Sequence, residues 1–339
     1  MRSKNRREKQ RDGKEKRHED EIMTVITTMP TLADKVSMVK DILIVYKRSQ
    51  YELYRDSPDK STRDYLNRNN EQAAKLELSH RQNYATLDAV VDAFAKQAQK
   101  NQSAGGEPQK YQTKIMYRGD VSAQALRDTD IIVSVGGDGT VLDLAHLCKN
   151  IPILGVNSDL RNSVGFFCTA NAQNIGEIVA NLQAQPTTTL NTIQPYIDGR
   201  ATPERAINDL LFAHNNPAGM TKYEITNPTV ETRKNRKDSG LLVCTAAGST
   251  AWMYNIGGDL MHLNDNRMQY RSRDLRNATS QYATTQLELI SRIRDGVLTI
   301  DTQHIHYDVT LGQKITLAHG DPLYIVGDLH VKKEREKSS

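Results

Sequence analysis

The sequence predicts an α/β fold: a doubly wound N-terminal domain followed by a β-rich C-terminal domain. Three observations lead there. Short apolar runs alternate with helical periodicity between residues 41 and 185. After Pro186 the texture changes to Thr-rich, alternating segments with sparse helical periodicity. The chain has 339 residues, of which 37% are hydrophobic, enough length and apolar content for two cores despite a mean hydropathy of −0.62.

Taken in order, residues 41–46 (DILIVY) form a short, apolar, β-branched run that reads as a buried strand. Residues 55–82 are polar and read as an exposed helix or a mobile insertion. Leu87, Val90, Val91, Phe94 and Ala98 share one helical face, with Thr86 placed to cap it, and 101–108 read as a loop. A strand at 114–117 and a short helix at 122–127 precede the apolar run 130–135, typical of a parallel strand covered on both faces. A helix after residue 140, a strand at 151–156 and a helix through Ile175, Ile178, Val179 and Leu182 complete the alternation. Beyond 186, strands are expected at 187–197, 205–213, 223–226, 240–245, 285–290, 297–300, 304–310, 314–317 and 323–326, with one helical stretch at 250–256.

The charge is uneven. Residues 1–17 hold nine Lys or Arg against three acids, a net +6, so the remainder of the +4 chain carries −2. Such a mixed-charge run reads as a solvated, disordered tail over 1–21. It has no apolar core and few hydroxyl residues, unlike a signal or transit peptide. No stretch approaches the ~18–20 apolar residues of a membrane span. Three scattered cysteines, Cys148, Cys168 and Cys244, fit buried thiols in a reducing compartment, so the expected location is cytoplasmic. Nine histidines form no HExxH, and His304 with His306 is as easily exposed as ligating, so no protein-held metal is expected.

The sharpest chemical signal is Gly136-Gly137-Asp138-Gly139-Thr140, between a buried strand and a helix. Glycines let a phosphate approach backbone N–H groups, and a helix N-terminus adds positive potential. A carboxylate beside phosphates is repelled by them, so the presence of Asp138 calls for a chemical reason. It could bind or activate a hydroxyl, or hold Mg²⁺. The tract is not a P-loop, and Leu142 occupies the third glycine position of a dinucleotide fingerprint. Taken alone, it could equally be a glycine-rich turn with an aspartate cap.

In this setting the tract resembles the signature shared by NAD kinases, diacylglycerol and sphingosine kinases, and phosphofructokinases. Three further segments resemble NAD kinase motifs: Asn157 through Gly165-Phe166, Asn208-Asp209, and Ser239 through Gly248-Ser249-Thr250-Ala251-Trp252. The resemblance runs from about residue 38 to 328 and is nearest in feel to the mitochondrial-type branch. It implies a kinase, with an NAD kinase-like fold, that phosphorylates the 2′-hydroxyl of the adenosine ribose of NAD, using ATP with Mg²⁺.

By the same resemblance, Asp138 is the candidate base, and Gly136, Gly137, Gly139 and Thr140 line the phosphates. Asn208 and Asp209 hold ribose hydroxyls and base edges. Asn157, Phe166, Lys237, Ser239, Thr250, Ala251, Trp252 and Asn255 complete the nucleotide contacts. Ser239 stands where many relatives carry Asp, a role Asp238 is placed to take over. The implied division is a basic tail at 1–21, an α/β domain at 38–188 with 312–330 a candidate to return to it, a β-rich NAD-binding domain at 189–311, and a charged tail at 331–339. A homo-oligomer, dimer or tetramer, is implied, with no membrane and no specific nucleic acid as partner. The alternatives are a lipid kinase sharing the glycine tract, or a non-catalytic nucleotide- or RNA-binding protein.

Overall fold

The computed structural model describes residues 29–67, 71–103, 111–228, 232–274 and 278–331. The expected tails at 1–21 and 332–339 lie outside these residues. The first body opens with β1 (Asp41–Tyr46), then helices α1 (Gln50–Arg55), α2 (Lys60–Asn67) and α3 (Glu71–Ser103). Next come β2 (Gln112–Tyr117), α4 (Ala123–Leu126), β3 (Ile131–Gly136), α5 (Asp138–Leu147), β4 (Ile153–Asn157), β5 (Cys168–Asn171), α6 (Ile175–Ala180) and β6 (Thr187–Leu190).

β1 pairs in parallel with β2 and β3, and β3 with β4. Side chains alternate along these strands, so two cores form. Leu43, Val45, Ile132 and Ile153 face a cluster containing Val141, Leu144 and Ala145 of α5. Ile42, Ile44, Val133, Leu154 and Val156 face the other side, against Leu87, Val90 and Phe94 of α3 and Ile175 and Val179 of α6. Both faces are covered, as continuous apolar strands require.

One expectation is corrected here. Thr86 does not begin a helix: it lies inside α3, a single helix about 50 Å long at 1.5 Å per residue. Its hydroxyl donates to the Gln82 carbonyl one turn back, at 2.9 Å. Residues 71–103 contain no Gly or Pro, so nothing breaks the helix where its surface becomes polar. The loop expected at 101–108 is helical to Ser103, and its remainder lies outside the described residues.

The second body holds β7 (Ile193–Ile197), β8 (Arg200–Ala201), β9 (Asp209–His214), β10 (Thr221–Asn227), β11 (Thr232–Asp238), β12 (Leu241–Cys244) and the short helix α7 (Trp252–Asn255). It continues with β13 (Met268–Ser272), β14 (Gln281–Ala283), β15 (Gln286–Ser291), β16 (Gly296–Ile300), β17 (Thr302–Val309) and β18 (Lys314–His319). Two antiparallel sheets, in orders β11-β10-β15-β18-β7-β8 and β14-β13-β12-β9-β16-β17, share one core of Leu210, Phe212, Tyr223, Val243, Leu289 and Leu317. This is a β-sandwich. β19 (Leu323–Val326) then returns to the first sheet, parallel to β4 and antiparallel to β6. The returning segment is therefore shorter than 312–330, because β18 stays in the sandwich between β15 and β7.

Candidate active site

β3 ends at Gly136 and α5 starts at Asp138, so the glycine tract is the hinge between a buried strand and a helix. The Asp138 carboxylate accepts the Phe166 N–H at 2.9 Å on one oxygen and the Phe167 N–H at 2.8 Å on the other. Each oxygen keeps a second acceptor site. Nothing lies within 4 Å of the position a Cβ on Gly139 would take. The amides of Asp138 and Gly139 occupy the first two helical positions, beyond the reach of any intrahelical acceptor. An anion can therefore approach this turn closely. Thr140 lies behind it, 2% exposed, packed where a Cβ on Gly136 would go.

Phe166 and Phe167 reach Asp138 because the chain turns sharply before them. Gly165 has φ of +62°, and a Cβ there would collide with the Asn157 amide. Asn157 is buried at the end of β4, donates to the Ser163 carbonyl at 3.1 Å and accepts from the Asp159 N–H at 3.1 Å. Asn157 and Gly165 thus shape the loop that holds Asp138. The Phe166 ring is buried edge-to-face on Phe167.

The second wall comes from the sandwich. Thr245 donates from its N–H to the Asn208 carbonyl at 2.9 Å and from its hydroxyl to the Ile207 carbonyl at 2.6 Å. A Cβ on Gly248 would sit on the Asn208 backbone, so only glycine permits this approach. Asn208, Asp209 and the 245–250 loop are therefore one unit. Ile207 and Ala247 pack in the same cluster as Phe166, Phe167 and the α5 side chains, which joins that unit to the Asp138 turn.

Asp209 is buried at the start of β9. Burial first, and the neighbouring Asp301 charge second, push its carboxyl up to about 7. No hydrogen bond from the described residues reaches that carboxylate, so its acceptor sites are available to a ligand.

Trp252, at the start of α7, is 38% exposed. The Arg273 guanidinium lies 6.0 Å from its ring centroid and donates to the Ser239 carbonyl at 2.8 Å, which brings Ser239 and Trp252 together. Asp238 turns inward instead. It accepts from the Tyr223 hydroxyl and the Gly240 N–H, both at 2.9 Å, and so is not placed to take over the Ser239 position. Thr250 and Ala251 are half-buried and Asn255 is exposed at the end of α7. Lys237 is exposed on β11, opposite Lys222, and among the described residues no hydrogen bond or ion pair ties it to the other candidates.

Two residues that build the site escaped the sequence reading. Asp301 has φ of +50° in the turn between β16 and β17. It accepts the N–H groups of Ile207, Asn208 and Asp209 at 2.8, 2.7 and 2.9 Å. His146 of α5 places Nε2 3.2 Å from the same carboxylate, both side chains being buried. The helix that begins with Asp138 thus meets, at its far end, the residue that holds the Asn208-Asp209 backbone. The only signal for Asp301 was an aspartate at a hairpin turn.

The fold recurs in solved structures. Over 87% of this chain and 99% of the other, the fold matches an NAD kinase from Archaeoglobus fulgidus in complex with ATP, with a TM-score of 0.57 and 18% identity. It also matches yeast NADH kinase complexed with NADH, over 88% of each chain, with a TM-score of 0.59 and 13% identity. The fold is that of the NAD kinases. Residues 42–186 match the family model described as the ATP-NAD kinase N-terminal domain.

Among curated relatives, a probable NADH kinase of Oryza sativa subsp. japonica is 37% identical over 180 residues, covering 46% of this chain and 55% of that protein. An NADH kinase of Arabidopsis thaliana is 27% identical over 249 residues, 62% of this chain and 76% of that protein. An NAD kinase of Rickettsia bellii is 33% identical over 149 residues, 42% of this chain and 56% of that protein. The match spans about half the length of the rice and Rickettsia proteins. Among the described residues, no helix is long and apolar enough to cross a membrane, and no group of three or more His, Cys, Asp or Glu is placed to hold a metal ion.

Proposed function

We propose that this protein transfers the terminal phosphoryl group of ATP to the 2′-hydroxyl of the adenosine ribose of NAD, making NADP. The Asp138 carboxylate supports this most directly. It is held by two backbone N–H groups at the mouth of a glycine turn, with acceptor capacity to spare. In the reaction the ribose oxygen forms a bond to phosphorus, the bond from phosphorus to the bridging oxygen of the leaving diphosphate breaks, and the hydroxyl proton passes to Asp138. The amides at the start of α5 and the open face of Gly139 receive the phosphates, with Gly136 and Gly137 giving close approach and Thr140 bracing the turn from behind.

Asp209, beside Asn208, takes the ribose hydroxyls, which supply the donors its carboxylate lacks. Thr250, Ala251, Trp252 and Asn255 line the adenosine side, with Ser239 tied to Trp252 through Arg273. Phe166 and Asn157 shape the loop around Asp138, and Lys237 is left as a long-range cation. Magnesium arrives on the donor's phosphates. Such an ion is commonly held by one or two carboxylates plus phosphate oxygens, a donor set that Asp138 at the phosphate turn fits. When bound, it neutralises charge on the transferring group.

NADH is a second acceptor to examine, because the rice and Arabidopsis relatives are named NADH kinases. Three buried free cysteines support a reducing compartment, the cytoplasm, and a homo-oligomeric assembly completes the proposal. Purified full-length protein, NAD or NADH, ATP and Mg²⁺ test the reading by NADP(H) formation. Asp138→Asn is expected to lose at least about 10²-fold in kcat while retaining nucleotide binding. Near-normal turnover in that variant refutes the assignment of the base.

A further inference from the structure

The helix that opens with Asp138 is tied down along its whole length. α5 has 10 residues and is about 15 Å long. At its start, Asp138 is held by the Phe166 and Phe167 N–H groups. In its middle, Asp143 pairs with Arg118, which follows β2. Just past its end, Arg205, 3% exposed, donates to the Cys148 carbonyl at 3.4 Å. A cation is favourable at the carbonyl end of a helix. Arg205 leads in sequence to Ile207, Asn208 and Asp209. α5 is therefore a short strut between the Asp138 turn and the segment that carries Asp209.

His146 is out of keeping with the rest of this helix. Its side chain is 3% exposed, with Nε2 3.2 Å from Asp301 Oδ2. Among the described residues, neither ring nitrogen makes an aligned hydrogen bond. Burying such groups unpaired costs stability. The other buried positions of α5 are Thr140, Val141, Leu142, Leu144 and Ala145, mostly apolar. A leucine would serve the fold at 146 at least as well, so the imidazole calls for a reason outside stability.

Asp301 supplies one. Its carboxylate offers about four acceptor sites. The Ile207 N–H takes one on Oδ2, and the N–H groups of Asn208 and Asp209 take two on Oδ1. One site remains on Oδ2, the oxygen beside His146. After burial, the Asp301 charge is also what opposes ionisation of Asp209. A donor on Asp301 draws that charge away from Asp209.

We propose that His146 is a positioning residue for the acceptor: it donates from Nε2 to the remaining site on Asp301, and so fixes the 207–209 backbone, and with it the Asp209 carboxylate, relative to Asp138. This rests on the kinase reading above. The contact lies at the opposite end of α5 from the phosphate turn, so its effect falls on the acceptor and spares the donor.

Full-length wild type, His146→Leu, His146→Asn and His146→Gln are compared by calorimetric titration with NAD without ATP, by steady-state kinetics and by thermal melts. The Gln amide nitrogen stands where Nε2 stands, whereas that of Asn reaches only the place of Nδ1. His146→Leu and His146→Asn are expected to bind NAD about tenfold more weakly, with kcat and the KM for ATP within about twofold of wild type. His146→Gln is expected to recover most of the affinity. The melting temperature of His146→Leu is expected to equal or exceed that of wild type, because no buried polar ring remains. A merely structural histidine gives the reverse, a lower melting temperature with NAD and ATP affinity lost together, and that result overturns the proposal. So does unchanged NAD affinity in His146→Leu and His146→Asn, or recovery by Asn and not by Gln. Should His146→Leu fail to fold, the Asn and Gln pair decides alone. His146-dependent NAD binding in a protein that forms no NADP from ATP refutes the transfer reading and leaves the positioning role standing. Normal NADP formation that is indifferent to His146 does the opposite, and no binding of NAD by wild type overturns both.

Discussion

Replacing Asp209 by Asn is expected to stabilise the protein at pH 8 while weakening its grip on NAD. The carboxyl is raised from 3.8 to about 7 in the fold, by burial first and by Asp301 second. A carboxyl raised in the folded state contributes stability that is complete below about pH 4 and is lost as pH climbs through about 7. Three pKa units correspond to on the order of 4 kcal/mol, a ceiling for the penalty of holding this charge at pH 8. Asn is nearly isosteric and uncharged, so it removes that penalty. Thermal melts of both proteins at pH 5 and pH 8 measure the effect. The advantage of Asp209→Asn is expected to be small at pH 5 and to reach several degrees at pH 8. In parallel, its KM for NAD should rise about tenfold, since a carboxylate contact to a sugar hydroxyl is replaced by a neutral one. An advantage that does not grow with pH, or an Asn variant less stable at pH 8, refutes the argument.

The remaining predictions concern the supports of the site. Asp301→Ala strips three backbone N–H groups of their acceptor and is expected to destabilise the protein by about 3–5 kcal/mol in urea unfolding, with Asp301→Asn milder. Trp252 is the single tryptophan, so NAD is expected to change its emission. Trp252→Phe should raise the KM for NAD by a few-fold while kcat falls by less than twofold, as expected of a stacking contact remote from the reacting atoms.

Much of the first body was legible because its strands are continuous apolar runs. Residues 41–46 and 323–326 match the observed strands residue for residue. β11 was illegible for the opposite reason. Its sequence TRKNRKD lies at the edge of a sheet, where charged side chains face water and discourage pairing with another chain. Thr86 misled because hydroxyl residues favour caps, yet the uninterrupted helix around it overrode that preference. At the site, the glycine tract and the Asn208-Asp209 pair stand out locally. Asp301 and His146 do not, because their importance comes from a contact across 155 positions of sequence that no local pattern records.

The path of β19 has a consequence for synthesis. The strand that fills the gap between β4 and β6 is made only after the whole sandwich has emerged. Until then part of β4 has an unpaired, hydrogen-bond-hungry border beside the most apolar strands, only its Gly155–Asn157 end being paired with β5, and the sheet cannot mature before residues 323–326 arrive. A fragment ending near residue 190 should therefore aggregate, whereas supplying residues 314–331 as a separate peptide should rescue part of its solubility.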